Sequence, residues 1–127
     1  MTRPDACDLL CLDLPHAERI RAELSDLHAV ESSAAAARAL GDPTRLRIAT
    51  ALQAGDELCV CDVGWVVGQS QGLVSHHLRL LKVAGMVESR RQGRLVMYRL
   101  TARGRMLVGA VRAVRAVHDT AGDRFHG

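Results

Sequence analysis

Aromatic side chains are almost missing from this chain: its 127 residues hold one Trp, one Tyr and one Phe. A core must then be built from Leu, Val, Ile and Ala, a set that suits helices packed on helices. No apolar run approaches the ~20 residues that cross a bilayer as a helix, so no membrane partner is expected. The amino-terminal stretch lacks the basic, then apolar, then small-residue order of a secretory signal. A cytoplasmic protein with reduced thiols is the expectation, and its four cysteines then point to metal or redox chemistry more than to structural disulfides. Catalysis also lacks its usual parts. There is no phosphate-binding glycine loop, no pair of acid–base carboxylates, and no orienting base for Cys59. The length suits one domain and is short for an enzyme with a separate cofactor domain, so a non-enzyme is expected.

The basic half of the chain has few acids. Residues 1–62 carry 11 acidic and 6 basic side chains, whereas residues 63–127 carry 3 acidic and 11 basic ones. Within 70–105, eight basic residues face Glu88 alone. Positive charge concentrated in one segment is the footprint of a polyanion binder.

What that segment contains is a helix-turn-helix pattern. Two apolar-periodic stretches between Leu58 and Lys82 flank a break at Gly68-Gln69, and Ser70 stands where a helix N-cap belongs. The second helix of such a pair can enter the major groove of double-stranded DNA. Plotted at about 100° per residue, Gln71, Ser75, Arg79 and Lys82 share one sector, with Gly72 and His76 on its flank. Val74, Leu78, Leu81, Leu73 and Leu80 cover the other side. Gln can pair with adenine, Arg with guanine or phosphate, and Ser with either base or backbone. The expected DNA-binding residues are Ser70, Gln71, Ser75, His76 and Arg79, whereas His77 points toward the apolar side and reads as a packed, hydrogen-bonded histidine.

Elements on either side support this pair. Ala17, Ile20, Leu24 and Leu27 recur at helical spacing after Pro15, and a short Ala-rich helix spans Ser32–Leu40. Asp42 or Thr44 caps the next helix, which turns Leu46, Ile48, Ala49 and Leu52 inward and ends near Gly55. The recognition helix closes at Gly85. Met86–Leu100 alternates as a β-hairpin with Arg91-Gln92-Gly93-Arg94 as its turn. A hairpin placed there is a wing, and Arg91 and Arg94 at its tip can reach phosphates or the minor groove. A last helix runs from Thr101 to Asp119 with Leu107, Ala110, Val111, Val114 and Val117 along one face. That face is expected to join the first helix in a homodimer, since two DNA half-sites need two reading heads. The expected class is mainly α with a β-hairpin wing, a homodimeric winged helix-turn-helix. Its parts are a cysteine-bearing arm (1–13), the DNA-binding and dimerisation domain (14–119) and a flexible tail (120–127).

The cysteines come in two pairs. Cys59 and Cys61 in mid-helix would diverge by about 200°, but at a helix start, where the backbone still turns, both can grip one ion. The positive end of the helix dipole favours thiolate charge there. Cys7 and Cys11, four apart in an acidic segment, can share a face if that segment coils around a ligand. Four thiolates would select Cd, Pb, Zn or Cu(I) over hard cations. Against this stands the ordinary role of a buried Cys as a small hydrophobe, which fits poorly with two pairs so placed.

Several stretches together resemble the ArsR/SmtB family of winged-helix metal-sensing repressors. They are Ala39-Leu40-Gly41-Asp42-Pro43-Thr44-Arg45, Glu57-Leu58-Cys59-Val60-Cys61-Asp62, the run from Val74 to Leu81, and Gly93-Arg94 with Tyr98-Arg99-Leu100. The Asp5–Cys11 segment is similar to the extra cysteine pair of the cadmium/lead-responsive, CadC-like branch. The resemblance implies a homodimer that binds operator DNA when metal-free and releases it when a soft divalent ion (Cd or Pb, with Zn possible) binds. That ion would bridge Cys59 and Cys61 of one protomer to Cys7 and Cys11 of the other, derepressing efflux or resistance genes. Many relatives carry a second site on the last helix. Ala102-Arg103-Gly104 stands where its first ligands belong, so His118 and Asp119 are not expected to form one. The alternatives are a thiol-redox or sulfur-responsive repressor of the same fold, and a metal carrier without DNA binding.

Overall fold

A computed structural model describes residues 11–24 and 26–126. The chain divides into two units, residues 1–31 and 32–127. In the first, α1 (Leu14–Glu23) begins at Asp13, whose Oδ1 accepts from the His16 backbone N–H at 3.1 Å. Pro15 fills the first turn, where its missing N–H costs nothing. None of the helix is buried, and Leu14, Ile20 and Leu24 are exposed. Periodicity alone carries this helix on to Leu27. Instead Asp26 starts a new one, accepting from Ala29 N at 3.1 Å, and Leu27 opens α2 (Leu27–Ala39). α2 therefore begins before Ser32, its expected start.

In the second unit the end of α2 buries Ala36 and Ala39. Asp42 Oδ2 accepts from Arg45 N at 3.0 Å and caps α3 (Pro43–Gly55), which buries Ile48, Ala49, Ala51 and Leu52. Next come β1 (Leu58–Cys59), α4 (Val60–Val67), α5 (Gln71–Val83), β2 (Val87–Gln92), β3 (Leu95–Leu100) and α6 (Ala102–His126). The turn between α4 and α5 depends on Gly68 at φ +70°, a left-handed position that lets its N–H return to the Gly64 carbonyl at 2.8 Å. α5 ends in a Schellman pattern: Gly85 N–H reaches Lys82 O at 3.0 Å and Met86 N–H reaches Leu81 O at 2.9 Å.

The wing is larger than a hairpin. β1 pairs antiparallel with β3 (Leu58 with Tyr98, Cys59 with Met97), giving a three-stranded sheet of order β1-β3-β2. Leu58, expected to open the first helix of the pair, thus belongs to the sheet. The wing loop is only Gly93-Arg94, because Arg91 and Gln92 still pair with Val96 and Leu95. Gly93, at φ +63°, takes the first loop position, as a tight two-residue hairpin requires.

Ile48, Leu52, Val63, Val67, Val74, Leu78, Leu81, Met86, Val87, Leu100 and Val108 form the core, with Tyr98 packed partly against it. Leu73 and Leu80, expected on the buried side of α5, are partly exposed, because the core contact narrows to Val74, Leu78 and Leu81. α6 docks through Gly104 and Val108, with Leu107 and Val111 half-buried. Farther along, Val114 and Val117 are 65% and 69% exposed. α6 also passes Asp119, its expected end, and continues to His126 with no proline to interrupt it.

Candidate DNA interface and thiol site

α5 presents Gln71, Gly72, Ser75, His76, Arg79 and Lys82 to solvent. Ser70 Oγ accepts from Leu73 N at 3.2 Å and so fixes the first turn. His77 turns the other way. It is 8% exposed, and its Nδ1 lies 3.4 Å from Arg45 Nη1. Burial pushes the His77 imidazole below its ordinary value of 6.5; Arg45 and His76 add to this and Asp42 opposes it. The neutral ring can accept from Arg45 and pins α5 to the start of α3.

Ion pairing sorts the arginines of the basic segment. Arg90 donates from Nε and Nη2 to both carboxylate oxygens of Glu57, at 2.7 and 2.6 Å. This bond holds the Glu57 carboxyl below its usual range. Arg99 pairs with Glu88 at 2.7 Å. Arg103 donates to Ser32, and Arg105 to the Leu100 carbonyl. Arg79, Arg91 and Arg94 stand exposed on α5, on β2 beside the loop, and in the wing loop. Lys82 bridges the two elements, donating to Ser89 Oγ at 2.8 Å. Among the described residues, Arg79, Arg91 and Arg94 thus place positive charge without a carboxylate ion pair on the helix and wing expected to meet DNA. Phosphate contacts of this kind position a protein on the duplex, and base contacts specify the sequence.

The thiols of Cys59 and Cys61 sit at the start of α4. Cys59 is both the last residue of β1 and the N-cap of α4, at φ −87° and ψ 171°. It is 8% exposed, and its Sγ donates to Asp62 Oδ2 at 3.2 Å, the same oxygen that accepts its backbone N–H at 3.3 Å. Cys61, the second residue of α4, is exposed, and its Sγ accepts from Gln71 Nε2 at 3.3 Å. Sequence spacing could not show that last contact, since its partners lie on different helices.

Cys59 and Cys61 carry soft donors of the kind a thiophilic ion prefers, one buried and one exposed at the start of α4. Among the described residues, no group of three or more His, Cys, Asp or Glu side chains is placed to hold a metal. Cys11 is exposed in the first unit, and Cys7 lies outside the described residues. Also among the described residues, no helix is long and apolar enough to cross a membrane.

The chain matches known proteins over most of its length. Residues 42–89 match the family model described as bacterial regulatory protein, arsR family. A cadmium resistance transcriptional regulatory protein CadC homolog of Staphylococcus aureus is 38% identical over 96 residues, 76% of this chain and 78% of that one. A transcriptional repressor SmtB homolog of Synechocystis is 39% identical over 94 residues, 74% and 70% of the two chains. The homodimeric winged helix-turn-helix DNA-binding domain of a possible ArsR-family regulator from Mycobacterium bovis superposes with a TM-score of 0.66. It is 30% identical, and the match covers 71% of this chain and 83% of that one. With this architecture and these relatives, the chain belongs to the ArsR family of bacterial regulatory proteins, which are DNA-binding transcription regulators and not enzymes.

Proposed function

We propose that this protein is a cytoplasmic, homodimeric repressor that holds operator DNA when metal-free and releases it when a soft ion binds its thiols. Cd and Pb are the proposed effectors, with Zn a further candidate. Cys59 and Cys61 of one protomer supply two ligands, and Cys7 and Cys11 of the other complete the set. Ser70, Gln71, Ser75, His76 and Arg79 of α5 meet the major groove, and Arg91 and Arg94 of the wing meet the backbone or the minor groove. The exposed valines of α6, together with the exposed apolar residues of α1, form the dimer interface.

One observation carries this reading: both thiols sit at the start of α4, the helix packed against the recognition helix. The relatives named for cadmium resistance and for SmtB support it. A redox or sulfur-responsive switch is the second reading. It uses the same reduced thiols, which oxidise or take up sulfur instead of binding an ion.

Anisotropy of labelled DNA from the gene's own upstream region tests both. The protein is kept reduced and anaerobic and is titrated with Cd, Pb, Zn and then an oxidant. Tight metal-free binding that collapses with Cd or Pb is the expected result. Release by oxidant alone would assign the thiols to redox sensing. Cys59→Ser and Cys61→Ser should still bind DNA yet fail to let go with metal. Loss of metal-free binding in both would make these cysteines structural.

A further inference from the structure

Cys61 and Gln71 stand on opposite sides of the helix-turn-helix turn and share a hydrogen bond, Gln71 Nε2 donating to Cys61 Sγ at 3.3 Å. Cys61 is the second residue of α4 and Gln71 the first of α5. Val63 and Val67 of α4 and Val74 and Leu78 of α5 all belong to one buried apolar cluster. Apolar packing is non-directional. Among the described residues, no other side-chain hydrogen bond joins the two helices. A directional link thus runs from an exposed thiol to the first turn of the recognition helix.

We infer that Gln71 is the positioning residue that carries ion binding at Cys61 to the DNA-reading helix. The inference rests on the proposed role of Cys61 as a ligand. A thiol sulfur is a weak acceptor. A sulfur that ligates a cation carries more negative charge, and hydrogen bonds to charged acceptors are about twice as strong as neutral ones. Outer hydrogen bonds of this kind orient metal ligands and tune their affinity. With an ion at Cys61, the existing Gln71–Cys61 bond would tighten and hold the start of α5 against α4. The same amide is the group that Gln offers to adenine in the major groove. Ion and base compete for one side chain, and the resulting coupling is reciprocal: each weakens the binding of the other by the same factor.

The test compares the full-length protein with Gln71→Leu, a change at an exposed position that keeps the Ser70 cap and removes the donor. Two quantities are read for each protein. One is Cd affinity, from the ultraviolet charge-transfer absorption of the Cd–thiolate bond. The other is the ratio of DNA dissociation constants with and without saturating Cd. Gln71→Leu should keep the charge-transfer absorption, whatever its own DNA affinity, while the ratio falls by about tenfold. In the unsubstituted protein the Gln71 side-chain amide NMR signals should shift on adding Cd, and in Cys61→Ser they should not. A ratio unchanged in Gln71→Leu overturns the inference. If Cd leaves the unsubstituted protein on DNA, or Cys61→Ser keeps full absorption and release, the ligand assignment falls and takes the inference with it. Those failures appear in proteins that retain Gln71, so the two are told apart.

Discussion

Replacing Gly104 by Ala should destabilise the protein by about 2 kcal/mol, although Ala is the better helix former. Gly104 lies in the first turn of α6, where its N–H donates to Thr101 Oγ1 at 3.0 Å. A Cβ there would overlap the Met86 carbonyl oxygen and crowd the Met86 carbonyl carbon at 3.1 Å. That oxygen cannot swing away. It already accepts from Thr101 N at 3.0 Å, Met86 is fully buried, and Thr101 Oγ1 donates to Gly85 O at 2.7 Å. Relief requires α6 to move off the corner between α5 and β2. Overpacking of this kind costs about 1–3 kcal/mol. Each strained hydrogen bond adds about 0.5–1.5 kcal/mol, and the helix gains back about 0.5–1 kcal/mol from losing a glycine. Urea unfolding should show a lower midpoint with an unchanged slope. Gly72→Ala, on α5 with nothing within 4 Å of the new Cβ, should leave the midpoint unchanged or slightly raised. A Gly104→Ala midpoint equal to or above that of the unsubstituted protein would refute the close-approach argument. The corner also joins the end of the recognition helix to the wing, so DNA affinity should fall in the folded Gly104→Ala protein.

Arg94→Ala should weaken DNA binding and reduce the slope of log affinity against log salt by about 0.9 for a lost phosphate contact; an unchanged slope would mean the wing tip does not touch the backbone. His77 sets a pH dependence whose sign follows from burial. Its folded value lies below 6.5, so the unfolded chain takes up the proton first, and stability is fully present above 6.5 and declines as pH falls below it. Urea midpoints measured between about pH 7.5 and about pH 5.5 should show that decline, and His77→Leu should flatten it. Trp65, the only tryptophan, stands exposed one turn beyond Cys61 on α4. Its fluorescence should be quenched as Cd binds, and equal quenching in Cys61→Ser would place the ion elsewhere.

Legibility of this fold in its sequence followed the reach of each signal. Helix caps act over three residues, so Ser70 and the start of α5 could be placed from local chemistry alone, whereas the cap of α3, open between Asp42 and Thr44, is taken by Asp42. Periodicity identified Ile48, Leu52, Val74, Leu78 and Leu81 as core and turned His77 inward. It failed where tertiary contacts outweigh the pattern. A two-residue strand such as β1 has no period at all, and its existence depends on β3, nearly 40 residues later. On α6, the apolar face through Leu107, Ala110, Val111, Val114 and Val117 is only partly used by the chain's own core. Val108 is fully buried, Leu107 and Val111 pack partly against the core, and Val114 and Val117 stay exposed. The thiol contacts were beyond local reach for the same reason. Asp62 lies three residues from Cys59 but takes its thiol only because β1 holds Cys59 extended, and Gln71 meets Cys61 only across the closed turn.

That geometry makes two positions unequal despite their shared chemistry. Cys59 is tied to the wing side: it pairs with Met97 on β3, and its neighbour Glu57 grips Arg90 on β2. Cys61 is tied to the recognition helix through Gln71. An ion shared by the two sulfurs would therefore pull on both DNA-contacting elements, one through a strand and one through a side chain. Cys59 is also the more costly to move, because it is buried and its thiol already has a carboxylate acceptor. Cys61 is exposed and meets an arriving ion first. The order follows from access and existing bonds: Cys61→Ser should slow the initial capture of Cd in stopped-flow absorption, whereas Cys59→Ser should leave capture fast and shorten its persistence. Equal capture rates in the two variants would mean that exposure does not set the order.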